Sequence, residues 1–395
     1  MFSPKRRPEA AASHPRAEAD PRLDHLLILQ TPDGSPVDHF LWANERASTF
    51  HYTPASFQLS VDIAGWRATC PSFDSVRLDL PASWVSDRPC WRPCSSAVRR
   101  LRWTITPCEE PVTLTPSIAV SALARGEALQ TISRPLPVVI EATSQFDPAR
   151  DAFQQVNSVA GWGVVTPKAD IFQRTYTAVL FPTALFDGLY RSIVFIGGNL
   201  SGYGGGLCTG MARAALERSF GGSSDESDLD RVLLWHGRQL TDRALLTSAL
   251  WLLRPSPRRA FNAFKRDLVR TGETRRCFDI EVPKPWRRDI VSALQREGHT
   301  VVPYAFRQTT AERAEVSVYD PNDPQGSSAG RAVITFDLAS DTYGYRDIVS
   351  LDDHRTTVIA VDQSAYRRGR TALLAGLASA LLRLPKSLRP QRAPA

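Results

Sequence analysis

No run of about 20 consecutive apolar residues occurs in this sequence, so it offers no membrane-spanning helix. The first 22 residues also lack the continuous apolar core that a secretory signal needs. Rich in Pro, Ala, Arg and Glu, residues 1–22 are expected to be disordered. Both absences lead to the expectation of a cytoplasmic protein. Paired Cys-x-x-Cys units are missing, and no histidine lies among Cys70, Cys90, Cys94 and Cys108. Three states stay open for these four cysteines: free thiols, two disulfides or a zinc site. There is no Gly-x-Gly-x-x-Gly and no Walker loop. Gly202, Gly204, Gly205 and Gly206 are not followed by the Lys-Ser/Thr of a phosphate-binding loop. Lysine is scarce, so the net charge of +7 is carried almost wholly by arginine. Acidic residues are spread through the same segments, no long basic stripe forms, and nucleic-acid binding is not expected.

The 395 residues, 43% of them apolar, are enough for two or three domains with packed cores. Short alternating runs at 26–29, 57–63, 76–80, 101–105 and 136–140 are separated by Pro, Gly, Ser and Asp. This pattern predicts an all-β, immunoglobulin-like sandwich over 23–145. Trp42, Trp66, Trp84, Trp91 and Trp103 fall there. They read as core aromatics, with an exposed row for sugar or peptide as the alternative. Past a linker at 144–150 the pattern turns mixed. Leucine spacing predicts one helical region over 229–253, ended by Pro255 and Pro257, with shorter helices at 260–269 and 286–296. Strands are expected at 300–306, 315–319, 332–336 and 357–361, and Cys277 reads as part of a polar connector. Residues 363–395 hold an amphipathic helix and tail. That helix is expected to dock on the protein's own surface, with a peripheral membrane or partner contact as the alternative.

The sharpest chemical signal is Gly204-Gly205-Gly206-Leu207-Cys208-Thr209-Gly210-Met211. A cysteine behind a glycine turn and at a helix start meets free N–H groups and the positive end of the helix dipole, which favour the thiolate. The alternative is a buried, inert thiol. Downstream, His299 opens a β-rich run and Asp320 closes another at Asp320-Pro321. If these two strands pair antiparallel, His299 and Asp320 share one end of the sheet. A carboxylate beside an imidazole fixes its tautomer and steadies its charged form. The other histidines do not fit this logic: His236 reads as packed or at the surface, His354 as solvated, and His25, His39 and His51 as too scattered for a metal set.

Gly-Gly-Leu-Cys208-Thr-Gly-Met, Gly-His299-Thr-Val-Val-Pro-Tyr and Val-Tyr-Asp320-Pro-Asn-Asp-Pro together resemble a bacterial papain-like cysteine peptidase. The resemblance covers residues 153–362 and implies an α+β papain-like domain at about 150–362, with a nucleophile helix packed on an antiparallel sheet. By it Cys208 is the nucleophile, His299 the base and Asp320 the orienting acid, with Asn322 the alternative third member. A protein or peptide substrate is implied, and neither a metal nor an organic cofactor. Papain-like enzymes carry a Gln a few residues before the Cys as an oxyanion donor. This chain has none there, and Asn199 and Ser201 are the nearest polar candidates. The alternative function is a non-catalytic interaction scaffold with a degenerate papain-like domain and a β-sandwich binding module.

Overall fold

The computed structural model describes residues 21–44, 49–158, 162, 171, 174–178, 207–222, 227–283, 298–346, 349–352, 354 and 356–370. The chain divides into two compact units, Met1–Trp42 with Tyr52–Val138, and Ala43–His51 with Val139–Ala395. Its architecture is mixed α and β, with several antiparallel sheets.

Up to Thr143 the described residues form strands β1 (Leu27–Gln30), β2 (Phe40–Ala43), β3 (His51–Thr53) and β4 (Phe57–Asp62). Helix α1 (Ile63–Thr69) follows, then β5 (Ser75–Asp79), β6 (Trp84–Ser86), β7 (Trp91–Pro93), β8 (Arg100–Pro107), β9 (Ser117–Ala124), β10 (Glu127–Pro135) and β11 (Val138–Thr143). One antiparallel sheet runs β1-β4-β8-β6 and another β10-β9-β5-β7. Strand β8 shows why. Leu101, Trp103 and Ile105 are buried and alternate with Arg100, Arg102 and Thr104, the period-2 pattern of a half-buried strand. Phe40, Tyr52, Phe57 and Trp84 cluster with ring centroids 5.0–6.5 Å apart. Trp42, Trp66, Trp84 and Trp103 are core residues, whereas Trp91 is 54% exposed. Four of the five tryptophans therefore form no exposed row.

In the second unit the order is β17-β16-β15-β14-β11, from β14 (His299–Gln308), β15 (Arg313–Tyr319), β16 (Val333–Asp337) and β17 (Thr342–Tyr345). The first residues of β14 pair with β13 (Arg276–Pro283), which pairs in turn with β18 (Thr356–Asp362). β13 was not expected as a strand. Its charged residues hide the apolar run: Arg276 is neutralised by Asp267 at 2.6 Å and Asp279 accepts from Thr300 at 2.8 Å, while Cys277, Phe278 and Ile280 are fully buried. Cys277 is thus a core residue.

The helices of this unit are α2 (Pro148–Asp151), α3 (Cys208–Ser219), α4 (Asp228–Gly237), α5 (Asp242–Leu252), α6 (Pro257–Thr271) and α7 (Pro324–Ser328). The single helix expected over 229–253 is two. A 3-10 turn at Arg238–Leu240 intervenes, and the Thr241 hydroxyl accepts from Ala244 N–H to start α5. Leu246, Leu250 and Leu253, part of the leucine spacing that predicts the helical region, are 57%, 53% and 69% exposed. Helix α6 begins at Ser256, whose hydroxyl accepts from Arg259 N–H, and ends at Gly272 in the left-handed region, φ +69°. Its Phe261 and Phe264 join Phe278, Phe306 and Phe336 in an aromatic core with centroids 5.6–6.1 Å apart.

Helix α3 is buried at every position from Cys208 to Leu216, the signature of a central helix. It lies against α4 and β14. The approach to α4 is close enough that an ideal Cβ on Gly210 would stand 2.2 Å from the Val232 carbonyl oxygen. The residues expected to be disordered (1–22, all but Pro21 and Arg22), the helix at 286–296 and most of the amphipathic helix and tail expected at 363–395 (all beyond Arg370) lie outside the described residues. All six cysteines are free thiols. No described helix is long and apolar enough to cross a membrane.

Candidate active site

Three segments meet at the head of α3. Cys208 is its first residue and is 8% exposed. The preceding residue is held from outside the helix: Leu207 N–H donates to Asn157 Oδ1 at 3.0 Å. No side chain caps α3, so the first-turn N–H groups, that of Cys208 among them, have no partner within the helix. Cys208 Sγ lies 3.9 Å from the Gly298 carbonyl oxygen, at the entry to β14.

His299 is the first residue of β14 and Asp320 directly follows β15. The antiparallel register of the two strands pairs Val302 with Tyr319. That places the start of one strand beside the end of the other, and His299 Nε2 stands 2.6 Å from Asp320 Oδ1. With Nε2 engaged, Nδ1 is the ring nitrogen left for the Cys208 thiol. Asp320 is 1% exposed and well supplied with donors. Its Oδ1 also accepts from Asn322 N–H at 2.8 Å, and its Oδ2 accepts from the Tyr345 hydroxyl. The Arg346 guanidinium lies 3.5 Å from Oδ2. Ser327 Oγ on α7 accepts from Asp320 N–H at 2.8 Å and fixes the turn itself.

The electrostatics follow from these contacts. Burial pushes the Cys208 thiol up, but hydrogen bonding to and attraction by His299, with the Thr300 backbone N–H, outweigh it and hold the thiol below its ordinary value. Burial alone would lower His299. Hydrogen bonds to Asp320 and Cys208 and the two negative charges instead raise it to about 10. Burial disfavours the Asp320 carboxylate, yet His299, Tyr345 and the Asn322 N–H bring it down to about 2. All three directions favour one state, a thiolate beside an imidazolium beside a carboxylate. Two other buried groups, a thiol and an imidazole, behave otherwise. Cys277 is pushed up to about 12 by burial, which leaves it an inert thiol, and His236 is pushed down to about 4 and stays neutral.

Cys208, His299 and Asp320 therefore come together. Asn322, the alternative third member, does not face the imidazole; its Oδ1 accepts from Asn157 Nδ2 at 2.9 Å. Asn199 and Ser201 lie outside the described residues. Sequence reasoning missed Asn157 and Tyr345. Asn157 bridges the residue before the thiol to the loop that carries the acid, and Tyr345 binds the second oxygen of Asp320. Neither has a local signal, since each acts across at least 25 residues. Among the described residues no group of three His, Cys, Asp or Glu side chains is placed to hold a metal ion.

Compared with family models, with curated proteins and with solved structures, the chain matches none.

Proposed function

We propose that this protein is a thiol-dependent acyl-transfer enzyme that hydrolyses an amide bond, a cysteine peptidase or close chemical relative. The observation that carries the reading is a buried cysteine at a helix start, its thiol held low by an imidazole that is itself bonded to a buried carboxylate at 2.6 Å. The proposal includes the finer fold, a papain-like domain behind an immunoglobulin-like sandwich. Its support is the chain order Cys, His, Asp and a central helix packed on an antiparallel sheet.

The chemistry runs in two halves. The Cys208 thiolate adds to the amide carbonyl carbon, and the electron pair moves onto oxygen. The Cys208 backbone N–H, which has no partner within α3, donates to that oxyanion. The intermediate collapses, the C–N bond breaks, and the leaving nitrogen takes the proton from His299 Nδ1. A thioester remains. Water then adds to the thioester carbonyl as His299 takes its proton, and the C–S bond breaks to release the acid and restore the thiolate. Asp320 holds the ring throughout and balances its charge when protonated. A peptide or protein amide is the proposed substrate class.

The test is labelling with a peptide chloromethyl ketone at pH 6.5, read at the level of the modified peptide. Wild type is labelled at Cys208 and Cys208→Ala is not. Equal labelling of the two proteins refutes the assignment and leaves the non-catalytic scaffold as the reading.

A further inference from the structure

Behind the thiol and imidazole runs a buried polar chain that takes no part in the steps above. It begins at Thr209 and Thr300, the residues that directly follow Cys208 and His299. Their hydroxyl oxygens are 2.8 Å apart. Thr300 Oγ1 also donates to Asp279 Oδ1 on β13 at 2.8 Å. A hydroxyl has one proton. With its own given to Asp279, Thr300 accepts from Thr209. The donors therefore point from the nucleophile helix, through the histidine strand, to the carboxylate, an order that suits an ionised Asp279. Burial pushes this carboxyl above its ordinary value, and Arg213, the Thr300 hydroxyl and His299 pull against that rise.

Its counter-charge is Arg213, four residues along α3 from Thr209 and so on the same face. The Arg213 side chain is fully buried and Nη2 is 3.9 Å from Asp279 Oδ1. The guanidinium carbon sits 3.3 Å from the centre of the Tyr366 ring, and among the described residues none of the three guanidinium nitrogens has a hydrogen-bond partner. A buried cation with so few bonds is a poor stabilising device. Apolar residues of the same volume would hold these elements together with less desolvation. The charge pair is better explained by what stands beside it.

We propose that Asp279 is a positioning residue for the Cys208–His299 pair: through Thr300 and Thr209 it fixes the nucleophile helix against the histidine strand, and its charge, balanced by Arg213, acts on the thiolate. This rests on the function proposed above and adds a second acid to it. The charged and titratable groups around Asp279 are Cys208 and Arg213 on α3, Cys277 on β13, and His299 on β14. Asp320 lies beyond β15, Asp362 ends β18, and Tyr366 closes the 3-10 turn Gln363–Tyr366 that follows it. The Asp279 charge pushes the Cys208 thiol up, against the larger pull of His299, and so keeps the thiolate from being overstabilised. A thiolate stabilised too far loses nucleophilicity along with its proton.

The experiment is the rate of Cys208 alkylation by iodoacetamide from pH 4 to pH 10, resolved by peptide mass spectrometry, on the full chain. Cys277 serves as the unreactive internal reference. In Asp279→Asn the midpoint of the Cys208 profile moves to lower pH, and the rate on the acid limb rises about threefold. An Asp279→Asn profile that superimposes on wild type overturns the proposal. A brace with no electrostatic role would alter unfolding temperature and leave the midpoint in place. If Asp279→Asn does not fold, Thr209→Val and Thr300→Val decide. Each lowers the plateau rate about tenfold, and the double variant is no worse than either single, because both cut one chain. Independent, multiplying losses overturn the proposal. A wild-type Cys208 that reacts only as pH approaches the ordinary thiol value of 9.0 refutes the proposed function instead, whatever the variants do.

Discussion

Gly210→Ala gives the most direct test of how the nucleophile helix is seated. The new Cβ would lie 2.2 Å from the Val232 carbonyl oxygen and 2.9 Å from His236 Cβ. Ordinary contact begins near 3.4 Å, so α4 must retreat by about 1.2 Å at Val232. The obstacle is backbone, which cannot swing aside as the end of a side chain can. Overpacking of this kind costs about 1–3 kcal/mol, and a helix backbone places this case at the upper end. Alanine regains up to about 1 kcal/mol of helix propensity. The net loss is about 2 kcal/mol, or roughly 4–8 °C in unfolding temperature for a unit of this size. Gly210 is two residues from Cys208, so the retreat also shifts the sulfur relative to His299. Calorimetry and the Cys208 alkylation rate at pH 7 measure both effects, and the rate is expected to fall at least about tenfold. An unfolding temperature within about 1 °C of wild type, with an unchanged rate, would refute the close-packing argument.

Tyr345→Phe removes a hydroxyl that donates to a buried carboxylate, at a cost of about 1.5–3 kcal/mol at pH 7. Asp320 is depressed to about 2 from 3.8, so its contribution is complete above 3.8 and lost as pH falls through 2. The gap between Tyr345→Phe and wild type should narrow over that window, and a constant gap in a pH series of melts contradicts the reasoning. For the Cys208–His299 pair, the folded state keeps one proton while the unfolded pair binds two below pH 6.5, one between 6.5 and 9.0, and none above. Its contribution therefore rises toward pH 6.5, is level to about 9, and falls beyond. In Cys208→Ala only His299, still raised by Asp320, remains, and its contribution declines from pH 6.5 upward. Identical pH dependence of stability in the two proteins would exclude the ion pair. Asn157→Ala leaves the Leu207 N–H and the Asn322 amide unmatched, with an expected loss of about 1–3 kcal/mol and slower alkylation of Cys208. Chemical denaturation and the labelling assay check it together.

The three central residues were legible because each sits at a punctuation mark of the chain. Cys208 follows a glycine run into a helix, His299 opens a strand, and Asp320 closes one before a proline. Two adjacent strands then suffice to pair His299 with Asp320. The supporting residues carry no such marks. Asn157, Asp279 and Tyr345 reach their partners from other elements, and one sequence gives no sign of that. β13 was hidden because its charges are answered by residues remote from it, Arg276 by Asp267 and Asp279 by Thr300 and Arg213. The division of the 229–253 helix was equally hidden. Leucine spacing runs on past Gly237, whose carbonyl instead accepts from the Tyr176 hydroxyl at 2.6 Å, and Thr241 supplies a fresh start.

The bonds that surround the thiol join residues 50, 91 and 165 positions apart. Closing such long loops is slow and comes after local structure has formed. If the proposed function holds, a fragment lacking any of these segments should not assemble a reactive sulfur, and during refolding the thiol should gain its reactivity only after these distant contacts close. On that reading, a pulse of alkylating agent during refolding would time the closure of these long loops through Cys208.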